Sequence, residues 1–286
     1  MAKKILFFLL VFMLALGLFS AKAFLASRET KKPKTAPVKI PEINVTIIEG
    51  WQISDLAEDL QNKNLVSSAT FYKALKTINT SDYPLLAAKP AKASLEGYIF
   101  PDTYRVYKPK NLADENFAQD LIKKTLDNFQ AKFTPEMAAR AKSLGLSVYQ
   151  VLTLASIIEK ETGRNVVTPE QKQALLDERK NVASVFYNRM KAGMPLESDA
   201  TINYVTGKNN PMPTDVELKT ASPYNTYTNK GLPPGPICNP SLSSLVAALY
   251  PNQTGYYFFL HKQPSGEPVF SKTFEEHVSN KFKYLK

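Results

Sequence analysis

The chain has 286 residues, 44% of them hydrophobic, which is enough apolar material for a buried core in one large domain or two smaller ones. Its single cysteine excludes an internal disulfide, and one cysteine with two histidines makes a protein-built zinc site improbable, so we expect no metal and no other cofactor. A net charge of +10 favours an anionic partner, such as nucleic acid, phospholipid headgroups or an acidic polymer. No RNA-binding or helix-turn-helix signature is present, so we expect no nucleic acid.

The amino terminus predicts a membrane anchor. After a tail of residues 1–4, residues 5–26 form an apolar run of about the 20 residues needed to cross a bilayer. The alternative is a signal peptide, because SAKA precedes Phe24, but the run is longer than the roughly 7 to 15 apolar residues typical of one. Lysines on both sides leave the orientation open by the positive-inside rule. Residues 27–44, with prolines and alternating lysines, predict an extended linker.

The remainder predicts an α+β fold. Residues 45–48 are a β-branched run, residues 53–60 an amphipathic helix, and Ser67 or Ser68 caps a second helix, so residues 45–92 predict a small βαα subdomain with either a structural or a carbohydrate-binding role. Residues 93–286 predict a mixed α/β domain. It opens with an aromatic, strand-like run at residues 95–104 and continues with helices at 114–133 and 135–144.

A further helix is predicted from a capping box. Ser147 caps its amino terminus, Gln150 completes the box, and Gly163 stands where a carboxyl-terminal cap belongs. At about 100 degrees per residue, Glu161 shares a face with four aliphatic residues. These are Val151, Leu154, Ile157 and Ile158.

That position points to Glu161 as a general acid. Burial among aliphatic groups and the negative end of the helix dipole both disfavour the charged carboxylate, so both raise the pKa of Glu161. Glu159 is the rival, with a structural hydrogen-bonding role as its alternative. From the residues alone, a glutamate near a helix end is more often solvated or ion-paired than catalytic.

Several blocks of the sequence resemble one family. Residues 155–162 read ASIIEKET and residues 182–190 read VASVFYNRM, and together they resemble the MltG, or YceG-like, family of endolytic murein transglycosylases. The resemblance continues in EGYIFPDT at 96–103, LESDAT at 196–201, YNTY at 224–227 and GLPPGPI at 231–237.

The resemblance implies a cell-membrane protein with a cytoplasmic amino terminus, one span, an extracytoplasmic LysM-like subdomain at 45–92 and a catalytic domain at 93–286. The implied partners are peptidoglycan glycan strands, with peptidoglycan synthases as further candidates. It also selects Glu161 over Glu159, because lytic transglycosylases place a Glu-Ser or Glu-Thr pair at a helix end. Thr162 is then at most an orienting residue.

The implied reaction uses one carboxyl group twice. Glu161 protonates the oxygen between N-acetylmuramic acid and N-acetylglucosamine, then accepts a proton from the muramic C6 hydroxyl, leaving a 1,6-anhydro end. The candidate sugar-binding residues, each with packing or backbone hydrogen bonding as its alternative, are Glu96, Tyr98, Asn188, Ser198, Asp199, Tyr224, Asn225 and Tyr227. Residues 231–236 are expected to shape the cleft wall.

The sequence departs from the family at three places. Residues 164–180 are longer than expected, and Thr168 to Glu170 predict the start of an extra helix, with a lid or altered specificity as its consequence. Residues 197–201 read ESDAT where the family often has QTDPT, which puts contacts by Glu197 and Ala200 in doubt. The part before Val45 is shorter than expected, by about one subdomain.

Two other functions stay open at this point. One is a hydrolytic muramidase, in which Glu197 or Asp199 holds a water opposite Glu161. The other is a non-catalytic wall-binding scaffold with a structural Glu161.

Overall fold

The computed structural model describes residues 13, 41–208 and 213–285. The predicted anchor and nearly all of the linker lie outside these residues, so both stay predictions. The elements are β1 (Glu42–Thr46), α1 (Ile53–Asn62), α2 (Ser68–Thr77), β2 (Thr103–Tyr107), α3 (Glu115–Lys132), α4 (Pro135–Ser143), α5 (Val148–Thr162), α6 (Pro169–Lys191), α7 (Asp199–Thr206), α8 (Leu242–Leu249), β3 (Phe258–His261), β4 (Pro268–Ser271) and α9 (Phe274–Tyr284). Short 3₁₀ turns lie at Pro84–Leu86 and Glu217–Lys219. The predicted α+β class is confirmed.

Two small antiparallel sheets accompany the helices. In the first, β1 pairs with β2 so that Val45 lies opposite Tyr104, and both side chains are buried. In the second, β3 pairs with β4. Since β1 lies before residue 92 and β2 after it, the first sheet joins both sides of the predicted domain boundary. The described residues from 41 to 285 form one compact unit, and a LysM-like subdomain stays a prediction.

The strand-like run predicted at residues 95–104 is wrong except at its end. Gly97 has a φ of +87°, a left-handed backbone that interrupts an extended chain. The amide groups of Gly97 and Ile99 donate to Asn239 Oδ1 at 2.9 and 3.1 Å instead of to a neighbouring strand. Residues 95–102 therefore fold as turns fixed by a distant side chain, and strand pairing begins only at Thr103.

Helix α5 lies in the core and packs chiefly against α8 and α6. Residues 151–159 are all buried, including the polar side chains that a two-faced helix would expose. Thr153 and Ser156 satisfy their hydroxyls by donating to backbone carbonyls one turn earlier, at 2.8 Å each. The two ends of α5 reach the surface, at Gln150 in the first turn and at Lys160 and Glu161 in the last.

Both ends of α5 agree with the predicted boundaries. Gln150 N donates to Ser147 Oγ at 3.2 Å and Ser147 N donates to Gln150 Oε1 at 2.9 Å, so the capping box is confirmed. Gly163 follows the last helical residue, but its φ of −61° is not left-handed. A Cβ there would lie 2.8 Å from the Glu159 carbonyl oxygen, so this position requires glycine because of space.

The predicted extra helix after residue 168 is not separate. Thr168 and Gln171 form a capping box, and the helix that begins there continues without a break to Lys191. Residues 164–180 therefore supply the connection from α5 and the first half of α6.

One bent pair of helices meets the length and composition of a membrane span within the described residues, namely α4 with α5, whose axes differ by 91°. No single described helix does so.

Candidate active site

Glu161 lies in the last turn of α5 and is half-buried. Its Oε1 accepts a hydrogen bond of 2.5 Å from Ser198 Oγ. Burial raises the pKa of Glu161, and the negative charge of Asp199 adds to this, while the Ser198 hydrogen bond and the charges of His261 and Arg189 oppose it. The net effect is a raised pKa, as a general acid requires.

Ser198 reaches Glu161 from a turn that immediately precedes α7. The side chain is buried, and its amide group donates to Thr226 Oγ1 at 3.0 Å. The preceding residue, Glu197, has a φ of +53°, and its amide group donates to the Thr226 carbonyl at 3.1 Å. A glutamate in the left-handed region is uncommon and strained, so neighbouring contacts must hold it there.

Arg189 supplies those contacts. It is buried, and its Nη1 donates to the Leu196 carbonyl at 3.0 Å and to Glu197 Oε2 at 2.9 Å. Its Nε donates to the Tyr257 carbonyl at 2.7 Å. Helix α6 thus connects the turn before α7 with the segment that leads into β3.

Asp199 and Tyr227 form a hydrogen-bonded pair beside Glu161. The Tyr227 hydroxyl donates to Asp199 Oδ1. Burial raises the pKa of Asp199, whereas the Tyr227 hydrogen bond and the charge of Lys281 lower it. The pKa of Tyr227 is also raised, first by burial and then by Asp199 and Glu161, which places all three side chains in one electrostatic neighbourhood.

Glu159 has the opposite kind of surroundings. Its Oε2 accepts from the Ser241 amide, the Ser241 hydroxyl and the Ser244 hydroxyl at 2.9, 2.5 and 2.8 Å. Its Oε1 accepts from Arg179 Nη2 at 2.6 Å, and both side chains are at most 3% exposed. With both oxygens occupied in the core, Glu159 is structural, as its alternative interpretation held.

Thr162 does not contact the Glu161 carboxyl group. Its hydroxyl donates to the Ile158 carbonyl at 2.7 Å and accepts from Arg179 Nε at 3.1 Å. The hydroxyl that contacts the acid belongs to Ser198, 37 residues further along the chain.

Sequence reasoning missed a charged cluster near the end of α5. Glu178 on α6 is ion-paired with Arg164 and lies 3.0 Å from His261 Nε2. Burial tends to raise the pKa of Glu178, but the hydrogen bonds with His261 and Arg164 lower it overall. His261 also favours the charged form of Glu161. Its position in a polar carboxyl-terminal segment gave no signal, because the contact spans 83 residues.

Four predicted sugar-binding residues are packed or hydrogen-bonded within the fold, three of them buried and Asn188 half-buried, so direct sugar contacts by them are not supported. Tyr98 is fully buried, and its ring packs against Phe129. Asn225 is also fully buried and donates to two backbone carbonyls at 2.9 Å each. Asn188 donates to backbone carbonyls at 3.0 and 2.9 Å.

Glu96 is the fourth of these residues. It is buried and accepts hydrogen bonds from Ile53 N at 3.1 Å and from Asn239 Nδ2 at 3.0 Å, so it satisfies the first amide of α1. Burial raises the pKa of Glu96 to about 8.

The other four candidates lie nearer the surface or at Glu161. Ser198, Asp199 and Tyr227 surround the acid as described. Tyr224 is half-buried and pairs with Tyr204 at a ring-centroid distance of 5.0 Å. Gly235, in the predicted wall, lies against Tyr149, since a Cβ there would be 2.1 Å from the Tyr149 hydroxyl.

The fold and this site define a class of α+β protein whose candidate active site centres on a half-buried glutamate, Glu161, at the exposed end of a core helix. Residues 20–283 match the YceG-like family, and the chain belongs to that family. The resemblance seen in the sequence is therefore confirmed.

Known relatives carry a consistent name. A protein of Bacillus subtilis (strain 168) called endolytic murein transglycosylase is 36% identical over 255 residues, which cover 84% of this chain and 65% of the relative. A protein of the same name from Streptococcus pneumoniae serotype 2 (strain D39) is 30% identical over 275 residues, which cover 88% of this chain and 47% of the relative. The chain thus spans less than two thirds of either relative.

A solved structure is also similar. The crystal structure of a YceG-like protein from Listeria monocytogenes superimposes with a TM-score of 0.69 at 33% identity and covers 82% of this chain and 75% of that one.

Proposed function

We propose that this protein is an endolytic peptidoglycan lytic transglycosylase that cleaves between N-acetylmuramic acid and N-acetylglucosamine, with Glu161 as its single acid and base. The observation that carries the proposal is the state of this carboxyl group. It is half-buried, its pKa is raised, and one oxygen accepts from Ser198 while none of the described residues donates to the other. An acid with one oxygen to which no described residue donates is suited to protonate a glycosidic bridge.

In the proposed reaction, Glu161 gives its proton to the bridging oxygen as the bond from that oxygen to C1 of the muramic residue breaks. The C6 hydroxyl oxygen of the same sugar then bonds to C1, and the Glu161 carboxylate takes the hydroxyl proton. The acid is regenerated, no water is consumed, and the new end is a 1,6-anhydromuramyl group. A second carboxylate acting as nucleophile is not required.

The name shared by the Bacillus and Streptococcus relatives supports this reaction class. The net charge of +10 suits a polymer that carries acidic peptides. Cutting within nascent strands would terminate their elongation, and peptidoglycan synthases are the candidate partners for such a role.

The proposal includes a cellular position. Residues 5–26 anchor the protein in the cell membrane with residues 1–4 in the cytoplasm, and residues 27–44 hold a LysM-like subdomain and the catalytic domain outside it. The length and apolar character of residues 5–26 support the membrane span, and the resemblance to the YceG-like family is what supports the orientation and the LysM-like subdomain.

Product analysis tests the function. Purified protein is incubated with glycan strands, and the ends are identified by mass spectrometry beside the Glu161→Gln variant, which keeps the shape of the side chain without a titrating proton. We expect anhydro ends from the wild-type protein and no cleavage by the variant. Reducing ends would indicate a muramidase with Asp199 or Glu197 placing water, and equal, uncleaved strands in both samples would indicate a scaffold.

A further inference from the structure

The two oxygens of Glu161 are not equivalent. Ser198 Oγ donates to Oε1 at 2.5 Å, and no described residue donates to Oε2. A neutral carboxylic acid carries one proton, and an oxygen that already accepts a short hydrogen bond is the poorer place for it. The proton of the neutral acid therefore resides on Oε2, the oxygen left for substrate.

Ser198 is held in place through its backbone. Its amide donates to Thr226 Oγ1 at 3.0 Å, and its carbonyl accepts from Thr201 Oγ1 at 2.7 Å. The two threonine hydroxyls also lie 2.9 Å apart. Both backbone groups of Ser198 are therefore hydrogen-bonded, which fixes the residue while its hydroxyl donates its one proton to Glu161.

The turn that presents Ser198 is strained and clamped. Glu197 has a φ of +53°, a backbone angle that residues other than glycine rarely adopt. Arg189 Nη1 donates to the carbonyls of Pro195 and Leu196 at 3.2 and 3.0 Å and to Glu197 Oε2 at 2.9 Å. Strain of this kind persists only where surrounding contacts fix it, and such strain concentrates at functional sites.

We infer that Ser198 is a positioning residue that directs the acidic proton of Glu161 to Oε2, and that the Arg189–Glu197 pair holds Ser198 in this position. The inference rests on the proposed function, since it assigns how the same acid is aimed. The charged or titratable groups around Glu161 are Asp199, His261, Arg189 and Tyr227. All of them remain when the Ser198 hydroxyl is removed, so that change isolates one hydrogen bond.

The test compares Ser198→Ala and Ser198→Thr with Ser279→Ala, a matched control on the exposed surface of α9. The Ser198 hydroxyl stabilises the Glu161 carboxylate, so its loss raises the pKa of Glu161 further. For Ser198→Ala we expect kcat to fall roughly tenfold or more with KM nearly unchanged. The basic limb of the pH profile should move to higher pH. Ser198→Thr, which keeps a hydroxyl, should restore both, and Ser279→Ala should change neither.

A second variant tests the clamp. Glu197→Ala removes a contact of Arg189 and leaves the hydroxyl in place, so we expect a smaller loss of kcat than in Ser198→Ala. Thermal unfolding of each variant identifies those that do not fold. Wild-type kcat and an unchanged basic limb in folded Ser198→Ala would overturn the inference, as would a folded Ser198→Thr variant no better than Ser198→Ala.

The two proposals fail differently. If the wild-type protein releases no anhydro ends, the proposed function fails. If it does so and Glu161→Gln does not, while Ser198→Ala behaves as wild type, only the positioning role fails.

Discussion

Glu159 on α5 and Arg179 on α6 form a buried ion pair with an N–O distance of 2.6 Å, while α5 presents its other terminal glutamate, Glu161, to the surface. Three further hydrogen bonds from Ser241 and Ser244 reach Glu159. Two glutamates separated by a single residue therefore have different surroundings, and the proposed function gives them separate tasks, a structural one for Glu159 and a chemical one for Glu161.

Exchanging each for glutamine should separate these tasks. Removing one partner of a buried ion pair leaves an uncompensated charge, so we expect Glu159→Gln to lower the free energy of unfolding by about 3 kcal/mol. Glu161→Gln removes no ion pair and should not lower it. Urea unfolding of both variants at neutral pH measures the difference. Equal stability of the two variants would contradict the structural role of Glu159.

Stability should depend on pH through Glu96. The folded-state pKa of Glu96 is raised by burial to about 8, above the ordinary value of 4.5, so the folded form holds its proton more tightly. The stability that this gives is complete below pH 4.5 and is lost as pH rises through about 8. Glu96→Gln does not titrate, so its stability relative to wild type should improve by a few kcal/mol at most between pH 4.5 and pH 8.

Urea unfolding at several pH values checks this prediction. The exposed Glu58→Gln on α1 is the matched control and should follow the wild-type protein. A constant difference between Glu96→Gln and wild type across this range would show that Glu96 titrates alike in the folded and unfolded chain.

Removing the hydroxyl of Tyr98 should affect stability alone, whereas removing the hydroxyl of Tyr227 should affect catalysis. The Tyr98 hydroxyl is buried without a hydrogen-bond partner among the described residues, so Tyr98→Phe should keep full activity and gain up to about 1 kcal/mol of stability. Tyr227→Phe removes the donor to Asp199 beside the acid and should lower kcat. Steady-state kinetics and thermal unfolding give both readings. A raised KM in Tyr98→Phe would instead support the sugar-binding role that the sequence predicts for Tyr98.

What the sequence could predict was mostly local. The capping box of Ser147 and Gln150 joins groups three residues apart, so α5, its start and the position of Glu161 were all predictable. The helices α1 to α4 also lie where local signals predict them, through apolar periodicity in α1 and α3 and a capping serine in α2.

The parts that could not be predicted depend on distant contacts. The amide groups of residues 97 and 99 donate to the side chain of Asn239, more than 100 positions away, instead of to a neighbouring strand. The predicted strand is therefore a series of turns. The hydroxyl that contacts Glu161 comes from Ser198, and the imidazole ring that contacts Glu178 is that of His261 on β3. No local pattern records which side chains will meet, so the sequence predicts Ser198 only as a sugar contact and assigns no role to His261.

The ionisation of Glu161 tests the central claim most directly. Carbon-13 NMR of the labelled carboxyl group, titrated in the wild-type protein and assigned by its loss in Glu161→Gln, reports its pKa. Because burial and Asp199 outweigh Ser198, we expect a pKa clearly above the ordinary value for glutamate. A pKa at the ordinary value would mean that the group is ionised and solvated near neutral pH, which contradicts its role as the acid.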